Sequence, residues 1–127
     1  MWRKKKDIDE ITPHELGKRG EKLAESYLKK KKYRILERGF KAFGGEIDLI
    51  ALDKDTLVFV EVKTRKGLEF GYPQEAVTVQ KQKQLQKIAQ GYMVKKKLED
   101  INCRFDVIGI LFSSTGEYSI FHIENAF

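Results

Sequence analysis

Two apolar runs that carry acids, Glu46-Ile47-Asp48-Leu49-Ile50 and Val58-Phe59-Val60-Glu61-Val62-Lys63, constrain this chain more than any other stretch. The tight polar turn Asp53-Lys54-Asp55 lies between them, so they read as two strands of a hairpin. Side chains alternate across a strand, and residues two apart share a face. Glu61 and Lys63 therefore point the same way, as do Glu46 and Asp48, and pairing of the strands brings Asp48 beside Glu61. Two carboxylates and one ammonium then converge at one end of a sheet. Such a cluster is costly, because burying an unpaired carboxylate costs on the order of several kcal/mol. A divalent cation removes the cost. Mg²⁺, or Mn²⁺ in its place, takes hard oxygen ligands, commonly one or two carboxylates completed by waters and substrate phosphates. Lys63 beside it would orient or deprotonate an attacking water, or stabilise the phosphorane charge. The same spacing also suits a salt-bridged polar face, with Glu61 paired to Lys63 and Asp48 to an arginine.

The rest of the chain supplies helices around these strands. Residues 1–12 read as a charged N-terminal tail, with Trp2 and the run Arg3-Lys4-Lys5-Lys6 either solvated or a nucleic-acid-contacting arm. Residues 13–127 read as one domain. Thr12-Pro13-His14-Glu15 is a capping box with proline in the first turn, and predicts a helix to about Lys31. Leu16, Gly20, Leu23, Ala24, Tyr27 and Leu28 form its apolar stripe. Gly17 and Gly20 each cost roughly 1 kcal/mol in a helix relative to alanine, which close approach to a backbone or a phosphate would explain. Tyr33–Phe40 is the first strand, Ala42-Phe43-Gly44-Gly45 a turn, and Glu46–Leu52 and Thr56–Arg65 the second and third strands. The loop 66–73 follows, with Arg65 and Lys66 at the rim of the acidic end, where they either meet phosphate or are solvated. A second helix runs from about Pro73 or Thr78 to Leu98, with Leu85, Ile88, Ala89, Tyr92 and Met93 at core spacing. Arg104–Phe112 and Glu117–Ile123 are the last strands, with Asp106 expected in a salt bridge or a hydrogen bond to the neighbouring strand. The order α-β-β-β-α-β-β implies a three-layer α/β/α sandwich with a mixed central sheet.

Composition narrows the partners. Lys and Arg number 25 against 19 Asp and Glu, a formal charge of +6, which favours a polyanion such as nucleic acid. The single Cys103 excludes an intrachain disulfide and a cysteine zinc site. No apolar run approaches the length of a membrane span, and the basic N-terminus has no apolar segment behind it, so no membrane association and a cytoplasmic location are expected.

Five motifs in order, Gly17-Lys18-Arg19-Gly20-Glu21, Gly45-Glu46-Ile47-Asp48-Leu49-Ile50, Val58-Phe59-Val60-Glu61-Val62-Lys63-Thr64-Arg65, Phe70-Gly71-Tyr72-Pro73 and Arg104-Phe105-Asp106-Val107, resemble the small bacterial YraN-like family. Asp48 followed by Glu61-Val62-Lys63 resembles the PD-(D/E)xK nuclease signature. The resemblance covers about Gly17 to Phe112 and implies a restriction-endonuclease-like fold, similar to archaeal Holliday junction resolvases, and an endonuclease activity on DNA, branched or single-stranded. It further implies that Asp48 and Glu61 bind Mg²⁺ or Mn²⁺ with the Val62 carbonyl, that Glu21 on the first helix joins that cluster, and that Lys63 is catalytic. Glu46 would stand behind Asp48. Lys81 matches a basic position of the family pattern and, with Arg65 and Lys66, would track phosphates. Resolvase-like relatives act as two-fold dimers, which implies a homodimer. The Q-x-x-x-Y helix motif of exonuclease-like relatives is not found, since Ile88 stands four residues before Tyr92. The alternative reading is a non-catalytic nucleic-acid-binding module whose carboxylates are structural or idle; a third is a partner-binding protein using Trp2, Phe70 and Tyr72.

Overall fold

A computed structural model describes residues 8–127. Trp2 and the run Arg3–Lys6 lie outside the described residues. A short 3-10 turn, Ile8–Glu10, leads into helix α1, Pro13–Lys30. Strands β1 (Arg34–Ala42), β2 (Gly45–Asp53) and β3 (Thr56–Lys66) follow, then a second 3-10 turn (Pro73–Glu75), helix α2 (Val79–Lys95) and strands β4 (Cys103–Phe112) and β5 (Tyr118–Ile123). The five strands form one sheet in the order β1-β2-β3-β4-β5, a mixed sheet because β3 and β4 are parallel while the other pairs are antiparallel. The parallel step is the one that needs a crossover, and α2 supplies it. No helix among the described residues is long and apolar enough to cross a membrane.

Local sequence accounts for the elements. Thr12 Oγ1 accepts from the Glu15 N–H at 3.1 Å, while Glu15 reaches back to the Thr12 N–H, closing the expected capping box. Thr78 caps α2 in the simpler way, accepting from the Lys81 N–H at 3.1 Å. The β1–β2 turn uses φ of +50° at Phe43 and +72° at Gly44, the paired positive angles that match a tight hairpin. Only one of the two expected turn glycines is used this way, because Gly45 already belongs to β2.

Two apolar clusters hold the helices to the sheet. Leu16, Ala24 and Leu28 of α1 pack with Leu49, Ala51, Val58, Val60, Ile108 and Ile110. Leu85, Ile88, Ala89 and Tyr92 of α2 pack with Ile47, Ile50, Leu57 and Phe59. The first cluster also contains Ile8 and Ile11 at 4% and 7% exposure. The segment read as a charged tail thus ends in two core residues, hidden in the sequence by their acidic neighbours.

The expected alternation Ile47, Leu49, Ala51 is broken. Leu49 and Ala51 join the α1 cluster, whereas Ile47 joins the α2 cluster with Ile50. The break falls at Asp48. Opposite it in β1 stands Gly39, between the pairs Arg38↔Leu49 and Phe40↔Ile47, at φ +62°. A residue with a Cβ is strained there, so Gly39 permits the bend that changes the face of β2.

Candidate active site

The β2–β3 ladder runs from Asp53↔Thr56 to Leu49↔Val60 and stops. Beyond it, residues 45–47 of β2 pair with β1 alone, while β3 continues along β4 to Lys66↔Phe112. Where the two strands part, a side chain replaces the missing ladder bond: Asp48 Oδ2 accepts from the Val62 N–H at 2.7 Å. Asp48 and Glu61 are thereby brought together, by this side-chain bond and not by ladder pairing. Burial, a hydrogen bond shared with Glu61 and the charge of Glu61 push the Asp48 carboxyl well above the usual carboxylate range, against the Val62 N–H and the Lys81 charge.

Asp48 faces two groups. Toward α1, carboxylate oxygens of Glu21, Glu46 and Asp48 all lie within 4.8 Å of one another, a spacing one cation can span. Burial first, then the charge of Asp48, raises the Glu21 carboxyl, opposed by Lys18 at 3.6 Å and reinforced by Glu46. These three acids line a cleft of about 260 Å³ between α1 and the β1–β2 hairpin. Toward α2 lies Glu61, 5% exposed. Its Oε2 has no hydrogen-bond partner among the described residues; Lys81 Nζ stands 3.6 Å away, a Coulombic neighbour beyond good hydrogen-bonding distance.

The other expected residues divide. Val62 contributes its N–H to Asp48 and lies at the mouth of the gap between the strands. Lys63, partly buried two residues beyond Glu61, forms no ion pair among the described residues. Lys81 is at the cluster through Glu61, its Nζ 3.6 Å from Oε2. Arg65 turns onto the following loop: its Nη1 donates to the carbonyl of Phe70 and, at 3.5 Å, to that of Gly71. Lys66 is exposed and pairs weakly with Asp9 at 4.0 Å. Glu46, expected behind Asp48, is a full member of the acidic trio.

Sequence reading missed the basic wall of the cleft, formed by Lys18, Lys22 and Arg38. Lys18 and Lys22 lie three before and one after Glu21, and the i, i+4 relation of Lys18 and Lys22 was the signal that could have found them. Arg38 is anchored by Glu25, which accepts from its Nη2 at 3.0 Å and from its Nε. Gly39 was also missed; a Cβ there would come within 2.8 Å of Glu46 Oε1, so glycine makes room for that carboxylate.

On the opposite set of β4 residues, Asp106 is fully buried and fully bonded. It accepts from Arg104 Nε (3.0 Å) and Nη2 (3.2 Å), from His122 Nε2 on β5 (2.7 Å) and from the Asn125 N–H (3.0 Å). Burial alone would raise its carboxyl; the His122 and Arg104 bonds, with the Asn125 N–H, outweigh that and hold it below its ordinary range. The expected structural role of Asp106 is what the geometry shows.

A model of the uncharacterised protein family UPF0102 matches residues 20–110. The chain belongs to this family. A UPF0102 protein of Geobacter sulfurreducens is 51% identical over 112 residues, covering 88% of each chain. One of Caldicellulosiruptor saccharolyticus is 45% identical over 118 residues, covering 92% of this chain and 100% of its own length. One of Prosthecochloris aestuarii is 43% identical over 122 residues, covering 92% and 96%. The YraN-like resemblance read from five motifs is therefore borne out at the level of the family. The UPF0102 match includes Glu21, Glu46, Asp48, Glu61, Val62, Lys63 and Lys81, so every member of the cluster lies inside the family's common region.

Proposed function

We propose that this UPF0102 protein is a metal-dependent phosphodiesterase that cleaves DNA. The observation that carries the reading is the buried Glu61 Oε2, without a hydrogen-bond partner among the described residues, beside the raised Asp48 carboxyl. Two acids short of donors are a poor structural device and a good cation site. Their donor set is all oxygen, which suits Mg²⁺ or Mn²⁺. In a strand, the N–H and C=O of one residue project to the same side. The Val62 carbonyl therefore projects with its N–H toward the gap left by β2, and supports the assignment of Asp48, Glu61 and Val62 as ligands. Glu21 and Glu46 would hold the ion's waters or share it through Asp48. A divalent ion there would neutralise the scissile phosphate and lower the pKa of an attacking water.

The chain's own groups do the rest. Lys63, without an ion-pair partner among the described residues, orients the attacking water and stabilises the charge that develops on the phosphoryl group. Lys81, now 3.6 Å from Glu61, would be free to reach the phosphate if Glu61 held a cation. Lys18, Lys22 and Arg38 offer the cleft wall to the backbone of the strand, and Lys66 extends that path. The two apolar clusters on alternate strand residues, one carrying α1 and the other α2, support a three-layer α/β/α sandwich of the restriction-endonuclease-like kind. The resolvase-like resemblance adds a homodimer working on branched or single-stranded DNA, with the cytoplasm as the default compartment.

The test is calorimetry of Mn²⁺ and Mg²⁺ into wild type and Asp48→Ala/Glu61→Ala, with cleavage of branched, single-stranded and duplex DNA by the same proteins and by Lys63→Ala. Metal uptake lost in the double variant, with metal-dependent cleavage lost in all variants, is the expected result. No metal uptake with or without DNA, together with no cleavage, refutes it. The ion pairs of Lys18 with Glu21 and Lys81 with Glu61 favour the second reading, a non-catalytic nucleic-acid-binding module. That reading requires metal-independent binding that survives Lys63→Ala and weakens steeply with salt.

A further inference from the structure

The loop after β3 carries the most exposed large apolar side chain among the described residues, Phe70, at 79%. Its backbone is nonetheless fastened on all sides. Arg65 donates to the carbonyls of Phe70 and Gly71. The Gly71 N–H closes a turn onto Leu68 O at 3.0 Å, and the Gly67 N–H bonds Phe112 O at 3.0 Å. Tyr72 rests edge-on against Phe121 with ring centroids 5.5 Å apart.

Its place relative to the carboxylates is set by β3. Glu61, Lys63 and Arg65 share one face by alternation. Arg65 is two residues beyond Lys63, about 7 Å at the rise of a strand, and it grips Phe70 directly. Phe70 thus stands on the loop that continues β3 past Lys63 and Arg65, and a strand whose phosphate sits at Glu61 and Lys63 and runs on past Arg65 meets that loop.

We propose that Phe70 is a stacking platform for an unpaired base next to the bond being cut, so that the substrate at this site is nucleic acid with unpaired bases and not continuous duplex. The inference rests on the phosphodiesterase reading and names its substrate class. Size argues for a base over a protein. One phenylalanine offers about 150–250 Å², and even with Leu68 and Tyr72 the loop falls short of the roughly 800 Å² per partner of a stable interface. Charge is compatible with this: Lys63, Arg65 and Lys66 lead into the loop, in a chain of net charge +6, against the single acid Glu69 beside Phe70. Base-on-aromatic stacking is tolerant of sequence because every base has a π-face.

The experiment is fluorescence anisotropy of full-length wild type, Phe70→Ala and Phe70→Trp on a labelled oligothymidine strand and on a hairpin duplex, with Ca²⁺ present to hold the site without cleavage. Phe70→Ala should weaken the single strand about 5- to 150-fold, the range for one stacked base, and leave the duplex within about twofold; Phe70→Trp should bind the strand as wild type does. A strand carrying 2-aminopurine should be quenched by wild type and not by Phe70→Ala. Equal single-strand affinity of wild type and Phe70→Ala overturns the proposal, as does equal loss on strand and duplex, or a change confined to sedimentation behaviour. Calorimetry of Mn²⁺ into Phe70→Ala separates the two levels. Metal uptake retained with unchanged strand affinity sinks only the stacking role, whereas a wild type that takes up no metal and binds no strand sinks the phosphodiesterase reading with it.

Discussion

Gly17 and Gly20 stand one turn apart in α1 and should respond differently to the same substitution. Helix propensity alone makes either Gly→Ala change favourable by about 1 kcal/mol. At Gly17 nothing lies within 4 Å of an added Cβ, so that gain should appear in full. At Gly20 the added carbon runs into Thr64 Oγ1 on β3, with Thr64 Cβ at 3.0 Å and Cγ2 at 3.2 Å behind it. A clash against a sheet residue is not relieved by moving a free side-chain end; the helix or the strand must shift. Overpacking of this kind costs roughly 1–3 kcal/mol, so Gly20→Ala should range from neutral to about 2 kcal/mol destabilised. The two variants should then differ by at least about 1 kcal/mol. With a urea m-value of roughly 1–3 kcal/mol/M, the midpoints should separate by about 0.3 M or more. Thr64→Ala removes Oγ1 and Cγ2, and a double-mutant cycle should show at least about 1 kcal/mol of coupling with Gly20→Ala. Midpoints of Gly17→Ala and Gly20→Ala that rise together, with no coupling to Thr64, would refute the close approach of α1 to β3. Glu21 follows Gly20, so the same clash should also weaken Mn²⁺ uptake in Gly20→Ala and not in Gly17→Ala.

Asp106→Asn should cost about 3–5 kcal/mol, because an amide has one acceptor oxygen for donors that now arrive at two, and Arg104 loses its buried counter-charge; thermal unfolding checks this, and a loss under about 1 kcal/mol would contradict it. Asp106 is held below its ordinary range, so its stabilisation is complete above the unfolded value near pH 4 and is lost as pH falls through the folded value. Urea unfolding across acidic pH should therefore show a steeper decline for wild type than for Asp106→Asn, and parallel slopes would exclude the role given to Asp106. Mn²⁺ at about 100 times its dissociation constant should stabilise wild type by roughly 2.7 kcal/mol. Chelator should reverse that gain, and Asp48→Ala/Glu61→Ala should never show it; an equal thermal shift in the double variant would place the metal elsewhere.

The parts of this fold written in local chemistry are legible in the sequence alone. The Thr12 capping box and the spacing of Leu85, Ile88, Ala89 and Tyr92 place both helices to within a few residues. Alternation in β3 places Glu61 and Lys63 on one face, and the hairpin turn brings Asp48 to Glu61. The misses share one cause, which is dependence on what lies across the sheet. Ile47 and Leu49 look equivalent in a row of alternating residues, and only the bend opposite Gly39 sends them to different cores. Arg65 reads as a rim cation until the loop it precedes folds back onto it. Lys18, Lys22 and Arg38 come from two elements and become one wall only when α1 packs beside β1. Ile8 and Ile11 carry no periodic partner, so nothing local announces that they close the α1 core.

Glu61 and Asp106 allow the structural and the functional readings of an acidic cluster to be weighed inside one molecule. They are the two buried acids among the described residues, at 5% and 0% exposure, and they stand on adjacent parallel strands. A purely structural cluster would pair Glu61 with Lys63 and Asp48 with an arginine. Neither pair is found among the described residues: Glu61 has Lys81 at 3.6 Å, and Asp48 has the Val62 N–H. The fold is able to satisfy a buried carboxylate, since Asp106 receives four hydrogen bonds from three residues and is thereby held ionised. At Asp48 and Glu61 the same fold supplies one backbone donor from β3 and one amine at a distance from α2, and the Asp48 carboxyl rises. Burial raises both carboxyls; at Asp106 four donors outweigh it, while at Asp48 the hydrogen bond and like charge of Glu61 add to it. Few donors and converging like charges are the condition a divalent cation relieves.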